Sequence, residues 1–448
     1  MDEETLSREA SKWIDGIDGR LGKDPEPLVD EVSKPSILQR VPAYMGARVE
    51  LKEFYVPKFI SFGPIHMLKP YVQQGLPYKI RWTEIYLQQT NQTFDNLFHR
   101  ISDNRQCIEI LTGEYLNLLS KKMLVVDGCS VLQLLDRSIY PGDKLELSIE
   151  QLVRVHQEML LLENQIPYIV LKLICGDDKD RLKRCMKNFL EIHRIVEAPR
   201  PSMMEADREG SREHSTVIVE EEEEEEEDPI HLLDYLRRAL LLRDQFYVST
   251  GTLTKRNTTL HLRKYRIGTI RDLKAAGIRI LNRKGTYFGP FYVNRQLRLP
   301  KLIVDGSTAL TFYNLIAYEM CPDFRNDYEI TSHIVFLSSL IDHPEDVKEL
   351  RLAGILRNNL ANDEEVADLF NHMDFILVPE TIDLFRIRGL IGNHLASRRG
   401  RIRVLGWIAE AYYNYFRSPW TIIGLLAATI ALVLTFIQTW YAVHPKGG

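Results

Sequence analysis

Apolar residues recur at helical spacing through most of the chain. "IRWTEIYLQQTNQTFDNLFHRI" and "SIEQLVRVHQEMLLLENQI" place them three and four positions apart, the spacing of one buried helix face. After a polar interval the pattern resumes in "DPIHLLDYLRRALLLRDQFYV", with Pro229 placed for a first helical turn. It continues in "STALTFYNLIAYEMC", "EITSHIVFLSSLID", "PEDVKELRLAGIL" and "DEEVADLFNHM". Asn362 precedes the last of these and Glu365 follows three residues on, a start resembling a capping box. Between Ile278 and Val304 the texture changes to short β-branched or alternating pieces broken by Gly and Pro, which predicts a small antiparallel meander. No fixed-period repeat occurs, so a solenoid is not supported.

One segment has a different physics. From Ser418 to Val443 the chain reads "SPWTIIGLLAATIALVLTFIQTWYAV", without a charged residue. Crossing the hydrocarbon layer takes about 20 mostly apolar residues. Trp420 at one end and Trp440 with Tyr441 at the other match the aromatic belts of a bilayer. Only "HPKGG" follows, so the expectation is a tail anchor. Arg386, Arg388, Arg398, Arg399, Arg401, Arg403 and Arg417 precede the span, against Lys446 beyond it. The positive-inside rule then places the bulk of the chain in the cytoplasm, on a membrane expected to be the plasma membrane. A C-terminal lipid-anchor signal lacks its small-residue site and polar spacer. Gly424 with Ala428, and Ala427 with Ala431, are small pairs through which two anchors could form a homo-oligomer.

These patterns divide the chain. Residues 1–40 read as a flexible N-terminal segment and 41–196 as the helical first half of a soluble domain. Residues 197–229 read as a disordered acidic insert, because nine like charges in a row, Glu220 to Asp228, repel and form no core. The second half, with the meander near 278–304, runs over 230–417, followed by the anchor at 418–443 and a short tail at 444–448. The fold class expected is mainly α: a helical soluble domain with a small antiparallel β meander and one C-terminal transmembrane helix.

Composition narrows the partners. At 448 residues, with 45% apolar and 27% charged, the chain is ordinary for a globular protein. A net charge of -5 argues against nucleic acid, whose binders carry basic patches. The acidic "MDEETLSREASKWIDGI" at the start is not a secretory signal. The sequons at Asn91 and Asn257 are therefore read as chance matches. Cys107, Cys129, Cys175, Cys185 and Cys321 form no CxxC pattern and read as reduced, mostly buried thiols.

Familiar site patterns are absent: there is no GxxxxGK[ST], GxGxxG, HExxH, GxSxG or EF-hand loop. Three polar constellations lie in apolar surroundings. In "MLVVDGCSVLQLL", Asp127 beside Cys129 could be an acid or base next to a nucleophile. The plainer reading makes Asp127 the cap of the following helix and Cys129 a small buried hydrophobe, since no His or Lys nearby activates the thiol. In "ISFGPIHML", His66 follows a Gly-Pro turn and reads as a turn histidine bonded to backbone, because a zinc site needs three or four ligands. In "LLLENQIPYIVLKLI", Glu163, Asn164 and Gln165 stand before Pro167. Proline bars a helix interior and extends the residue before it, so one helix should end near Asn164 and the next begin at Pro167. The triplet is then a buried polar corner, with Glu163 and Asn164 bonded to backbone.

"MLVVDGC", "LLLENQIP", "HLLDYLR", "AAGIRI", "LPKLIVD", "NLIAYEMC", the "EDV…GIL…DEEVADLFN" series and the C-terminal apolar span resemble, in order, the plant family called domain of unknown function 247. The likeness runs from about Val41 to Tyr441. In "FGPIHML", Met67 stands where the family usually has a second histidine. The resemblance implies a largely helical protein with a C-terminal membrane anchor and no established enzyme activity. It also implies, for some grass members, a pollen-side role in self-incompatibility. It carries over no catalytic, cofactor-binding or metal-ligating residue. The leading expectation is a membrane-anchored recognition or signalling protein with a protein partner and no cofactor. The alternatives are a membrane-tethered enzyme, such as a hydrolase, with a site near Asp127, Glu163 and His66, and a membrane scaffold.

Overall fold

The helical periodicity is realised in most of the described chain. The computed structural model describes residues 38–105, 107, 118–137, 145–197, 228–242, 267–283, 285, 287–324, 327–373, 381–395 and 419–443. The N-terminal segment up to residue 37, most of the acidic insert and the tail at 444–448 lie outside them.

In the first half, α1 (Leu76–Thr90) ends where Asn91 enters the left-handed region at φ 51°. Thr93 then caps α2 (Phe94–Ser102), its side chain accepting from the Asn96 N–H. The run from Ile80 to Ile101 is therefore two helices, because Asn tolerates the left-handed turn and Thr the cap. Helix α3 (Leu118–Arg137) is followed by α4 (Ile149–Glu158), which opens with a Ser148–Gln151 capping box. Then come α5 (Tyr168–Cys175) and α6 (Lys179–Ile192), the latter capped by Asp178. Helix α3 is the centre of this half, packed by α1, α2, α5 and α6. A Cβ at Gly128 would lie 2.3 Å from Ile174 Cδ1, so glycine sets how closely α3 and α5 approach.

The second half begins with α7 (Leu232–Leu241), whose N-cap is His231: its side chain accepts the Asp234 N–H. Pro229 thus precedes the helix instead of standing in its first turn. A short α8 (Ile270–Ala275) leads to strands β1 (Arg279–Arg283), β2 (Phe291–Val293), β3 (Gln296–Pro300) and β4 (Leu302–Val304). Helices α9 (Thr308–Glu319), α10 (Glu329–Ser338) and α11 (Pro344–Leu352) precede β5 (Leu356–Asn358) and α12 (Asp363–Asn371). Helix α13 occupies 382–395, and α14 is Pro419–Val443. Asn362 caps α12 as expected, accepting the Glu365 N–H at 2.8 Å.

The strands correct the expected antiparallel meander. Among the described strands only β2 and β3 pair antiparallel, as a hairpin whose turn residues Asn294 and Arg295 both have positive φ. Strand β1 joins β3 in parallel, giving the order β1-β3-β2, and β4 pairs in parallel with the distant β5. Alternation reports which face a residue takes, whereas strand direction depends on where the intervening helices return the chain.

Both flanks of the acidic stretch feed one core. Pro167 bridges to His231, Val196 bridges to Leu302, and the Tyr168 N–H donates to Ile230 O at 2.8 Å. Asp228, last of the acidic run, pairs with Lys172 at 2.6 Å. Between α7 and α9, Arg237 pairs with the buried Glu319 at 2.7 Å. The same carboxylate accepts the Ile330 and Thr331 N–H groups, so a side chain of α9 caps α10. All five cysteines are free and buried, as expected.

Helix α14 has 25 residues and no charge. Its side chains are described for 427–440 alone, and among the fully described residues no helix is long and apolar enough to cross a membrane.

Buried histidines tie this core to pH. Burial pushes His156 and His231 down to about 4, so the fold holds them neutral. The unfolded chain binds the extra protons below about 6.5, so their contribution is complete above that pH and is lost as pH falls toward 4. In His156→Gln that loss is missing. From pH 7 to pH 4 its unfolding free energy, measured in urea, should rise relative to the natural protein by about 3 kcal/mol. A pH-independent difference would contradict a neutral buried His156.

Candidate functional site

The polar residues singled out in the sequence meet around one irregular segment, Lys58–His66. It forms neither helix nor strand, yet Phe59, Ile60, Ser61 and Phe62 are all buried. Buried backbone N–H and C=O groups must be paired, and here side chains of four other stretches pair them. Glu158, the last residue of α4, accepts the N–H groups of Lys58 at 2.7 Å, Phe59 at 2.9 Å and Ile60 at 2.7 Å. Asn164 accepts the Phe62 N–H at 2.7 Å and donates to Ile60 O and Glu158 O. Asp127 accepts the Gly63 N–H at 2.8 Å, and Lys79 donates to Ser61 O at 2.8 Å. Lys79 and Asp127 close the frame as an ion pair at 2.6 Å with both side chains buried. Gly63 has φ +75°, and a Cβ there would lie 2.3 Å from Gln165 O, which leaves room for glycine alone.

The corner before Pro167 is built much as its sequence predicts. Helix α4 ends earlier, at Glu158, and a 3-10 turn holds Leu162–Asn164. Gln165 is extended, and Pro167 is the N-cap of α5. Gln165 donates to Met159 O and Leu161 O, both at 2.8 Å, carbonyls freed by the end of α4, and accepts the Leu233 N–H from α7. Glu163 accepts the Val41 N–H at 3.0 Å, and its other oxygen lies 3.0 Å from His66 Nε2. His66 Nδ1 lies 3.0 Å from the Tyr71 hydroxyl. Burial raises the Glu163 pKa, but the His66 hydrogen bond and the Val41 N–H outweigh it and hold the carboxyl below its ordinary range.

Two expectations fail here. Asp127 caps no helix: it lies inside α3, fully buried, with one oxygen on Lys79 and the other on Gly63 N–H. His66 bonds to side chains, Glu163 and Tyr71, and not to backbone. Lys79 and Gly63 lie 48 and 64 residues from Asp127, and Glu163 lies 97 from His66, so local pattern carries no trace of them; Tyr71, five residues from His66, is the near partner. Cys129 is a buried thiol pushed up by burial, far from a thiolate nucleophile. Glu158 and Lys79 were missed altogether. The one available signal was a lone charge beside an apolar run, "HQEMLLL" for Glu158.

The frame gathers Asp127, Glu163 and His66 into one region without making them a common cluster. Asp127 is sealed behind Lys79, while His66 and Glu163 lie at the rim with 8% and 19% of their side chains exposed. His66 bridges Tyr71 and Glu163 through its two ring nitrogens. Among the described residues no three His, Cys, Asp or Glu side chains are grouped to hold a metal. Met67 is buried, and its carbonyl accepts Gln73 Nε2 at 2.9 Å.

The profile of DUF247, plant proteins of unknown function, matches residues 38–434. The chain belongs to this family. The DUF247 match takes in the whole frame, from Lys58 to Asn164, and ends inside α14. The UPF0481 protein At3g47200 of Arabidopsis thaliana is 25% identical, over 94% of this chain and 89% of its own length. The putative UPF0481 protein At3g02645 of the same plant is 22% identical, over 96% of this chain and 94% of its own. No solved structure matches the chain.

If the frame is what holds Lys58–Gly63, its members differ sharply from its rim. Lys79→Met strands Asp127 as a buried unpaired charge and should cost about 3–5 kcal/mol of unfolding free energy in urea. Asn164→Ala strands the Phe62 N–H and should cost at least about 1–3 kcal/mol. Tyr71→Phe, at the half-exposed rim, should cost under about 1 kcal/mol. Equal losses at all three sites would remove the frame's special place.

Proposed function

We propose that this DUF247 protein is a membrane-anchored recognition protein that acts through protein contacts. The observation that carries the reading is the engagement of its chemistry-bearing residues. Asp127, Glu158 and Asn164 direct their polar atoms at backbone groups of the same chain, and Lys79 pairs with the Asp127 carboxylate. A hydrolase built on Asp127, Glu163 and His66 needs a carboxylate and a base that converge on a solvent-reached nucleophile. Asp127 has neither a free oxygen nor access. That leaves the protein's outer surface as the place where specificity resides, and self-incompatibility-like recognition is one form it could take.

Membrane attachment is supported by α14. Its 25 residues would extend roughly 37 Å at 1.5 Å per residue, beyond the roughly 30 Å of a hydrocarbon core. Leu432, Phe436 and Trp440 stand well exposed on it, which water disfavours and lipid does not. The arginine excess before the helix favours a cytoplasmic bulk on a plasma-membrane face. Deleting Trp420–Val443 should move the protein from the carbonate-resistant membrane pellet to the soluble fraction. A truncated chain that still resists carbonate would end the single-anchor reading. Proximity labelling in plant tissue tests recognition: a generic membrane background with no enriched partner would leave a scaffold in its place.

A further inference from the structure

Helix α13 has two apolar faces. Leu384, Ile387 and Ile391 are buried against the core. On the same side Arg388 lies over the Phe336 ring at 5.1 Å and donates to Ser339 Oγ at 3.2 Å. His394 Nε2 lies 3.3 Å from Ala276 O, which fixes the helix's C-terminal end to the loop after α8. The exposed positions are 382, 385, 386, 389, 390 and 393, spaced as a single helical stripe. They hold Ile382, Phe385, Arg386, Gly389, Leu390 and Asn393, with Phe385 41% and Leu390 54% exposed. A helix packed on a soluble core ordinarily turns charged and polar residues outward; this one turns out three large apolar side chains and one arginine.

We infer that this outward stripe of α13 docks on a bilayer surface bearing acidic headgroups. Charge selects that occupant. From Ile382 to Arg403 the sequence carries Arg386 on the stripe, Arg388 on the buried side and, outside the described residues, Arg398, Arg399, Arg401 and Arg403, against Asp383 as the lone acid. Such a basic stretch beside a span is drawn to the anionic leaflet. Connectivity selects it too, because the charge-free α14 begins at Pro419, separated from the end of α13 by the 23 residues 396–418. A second copy of the chain fits less well: a self-complementary pairing of the stripe brings Arg386 against its own counterpart, like charge on like. The geometry is that of an interfacial helix, its apolar face entering about 5–10 Å into the headgroup boundary. The soluble domain is thereby held close to the membrane with a defined face toward it. The inference rests on the reading of α14 as an anchor.

The full-length chain is reconstituted in vesicles of phosphatidylcholine alone or with phosphatidylserine, and a probe is introduced as Leu390→Trp. The expected result is a blue shift and a loss of emission on brominating the acyl chains. Both should exceed the background from the natural tryptophans and be larger with phosphatidylserine. Adding Arg386→Glu should abolish the extra quenching seen with phosphatidylserine while the thermal midpoint stays unchanged, since the position is exposed. Carbonate washing reads the anchor separately. A chain that resists carbonate but shows no quenching beyond background overturns docking and leaves the anchor standing. A chain stripped by carbonate loses the anchor, and quenching on later addition of the acidic vesicles then decides docking alone. Quenching that tracks protein-to-lipid ratio with a cross-linkable dimer, and not headgroup charge, assigns the stripe to a second copy and overturns the inference.

Discussion

The structure depends on burying a stretch of chain that has no secondary structure. Lys58–Gly63 passes through the core, where unpaired amides and carbonyls are expensive, and no neighbouring strand or helical turn supplies their partners. Side chains supply them instead. A carboxylate takes three successive N–H groups, an amide serves both an N–H and a carbonyl, and an ion pair serves one of each. These partners fix the end of α4, the corner before α5, the middle of α3 and the start of α1 relative to one another. Hydrophobic burial drives the collapse but is non-directional; the polar frame selects which collapsed arrangement satisfies every group.

The same device recurs elsewhere. Asn314 on α9 accepts the Leu162 N–H and donates to Phe54 O, joining the second half to the first. Asp346 accepts the Arg271 N–H at the start of α8 together with those of Asp342 and His343. Glu319 caps α10 while Arg237, lying over the Phe324 ring, balances its charge. A fold stitched in this way spends its buried acids and amides internally. Asp127, Glu158 and Glu319 are thereby engaged with groups of the same chain, and the proposed recognition turns to the outer faces, α13 and α14 above all.

Much of the first half was legible because local stereochemistry writes it. Pro167 forces a break, so the Glu163-Asn164-Gln165 corner and its bonding to backbone followed from the sequence. Asn362 with Glu365 marks a helix start for the same kind of reason, and the uncharged run at the C-terminus marks an apolar helix. The helix break at Asn91 was less legible, since apolar spacing continues across it and a single left-handed residue suffices to turn the chain.

What the sequence by itself determined is therefore whatever neighbours along the chain decide: helical periodicity, caps, the proline corner, the exclusion of familiar catalytic motifs and membership in a plant family. Tertiary structure alone decided the partners. Lys79 meets Asp127 across 48 residues and His66 meets Glu163 across 97, distances over which no periodic signal extends. It also decided that β1 runs parallel to β3 and that α13 shows an apolar face to the outside. Each depends on how separate segments return to one place, a matter of three-dimensional closure that a local pattern of apolar and polar residues does not encode.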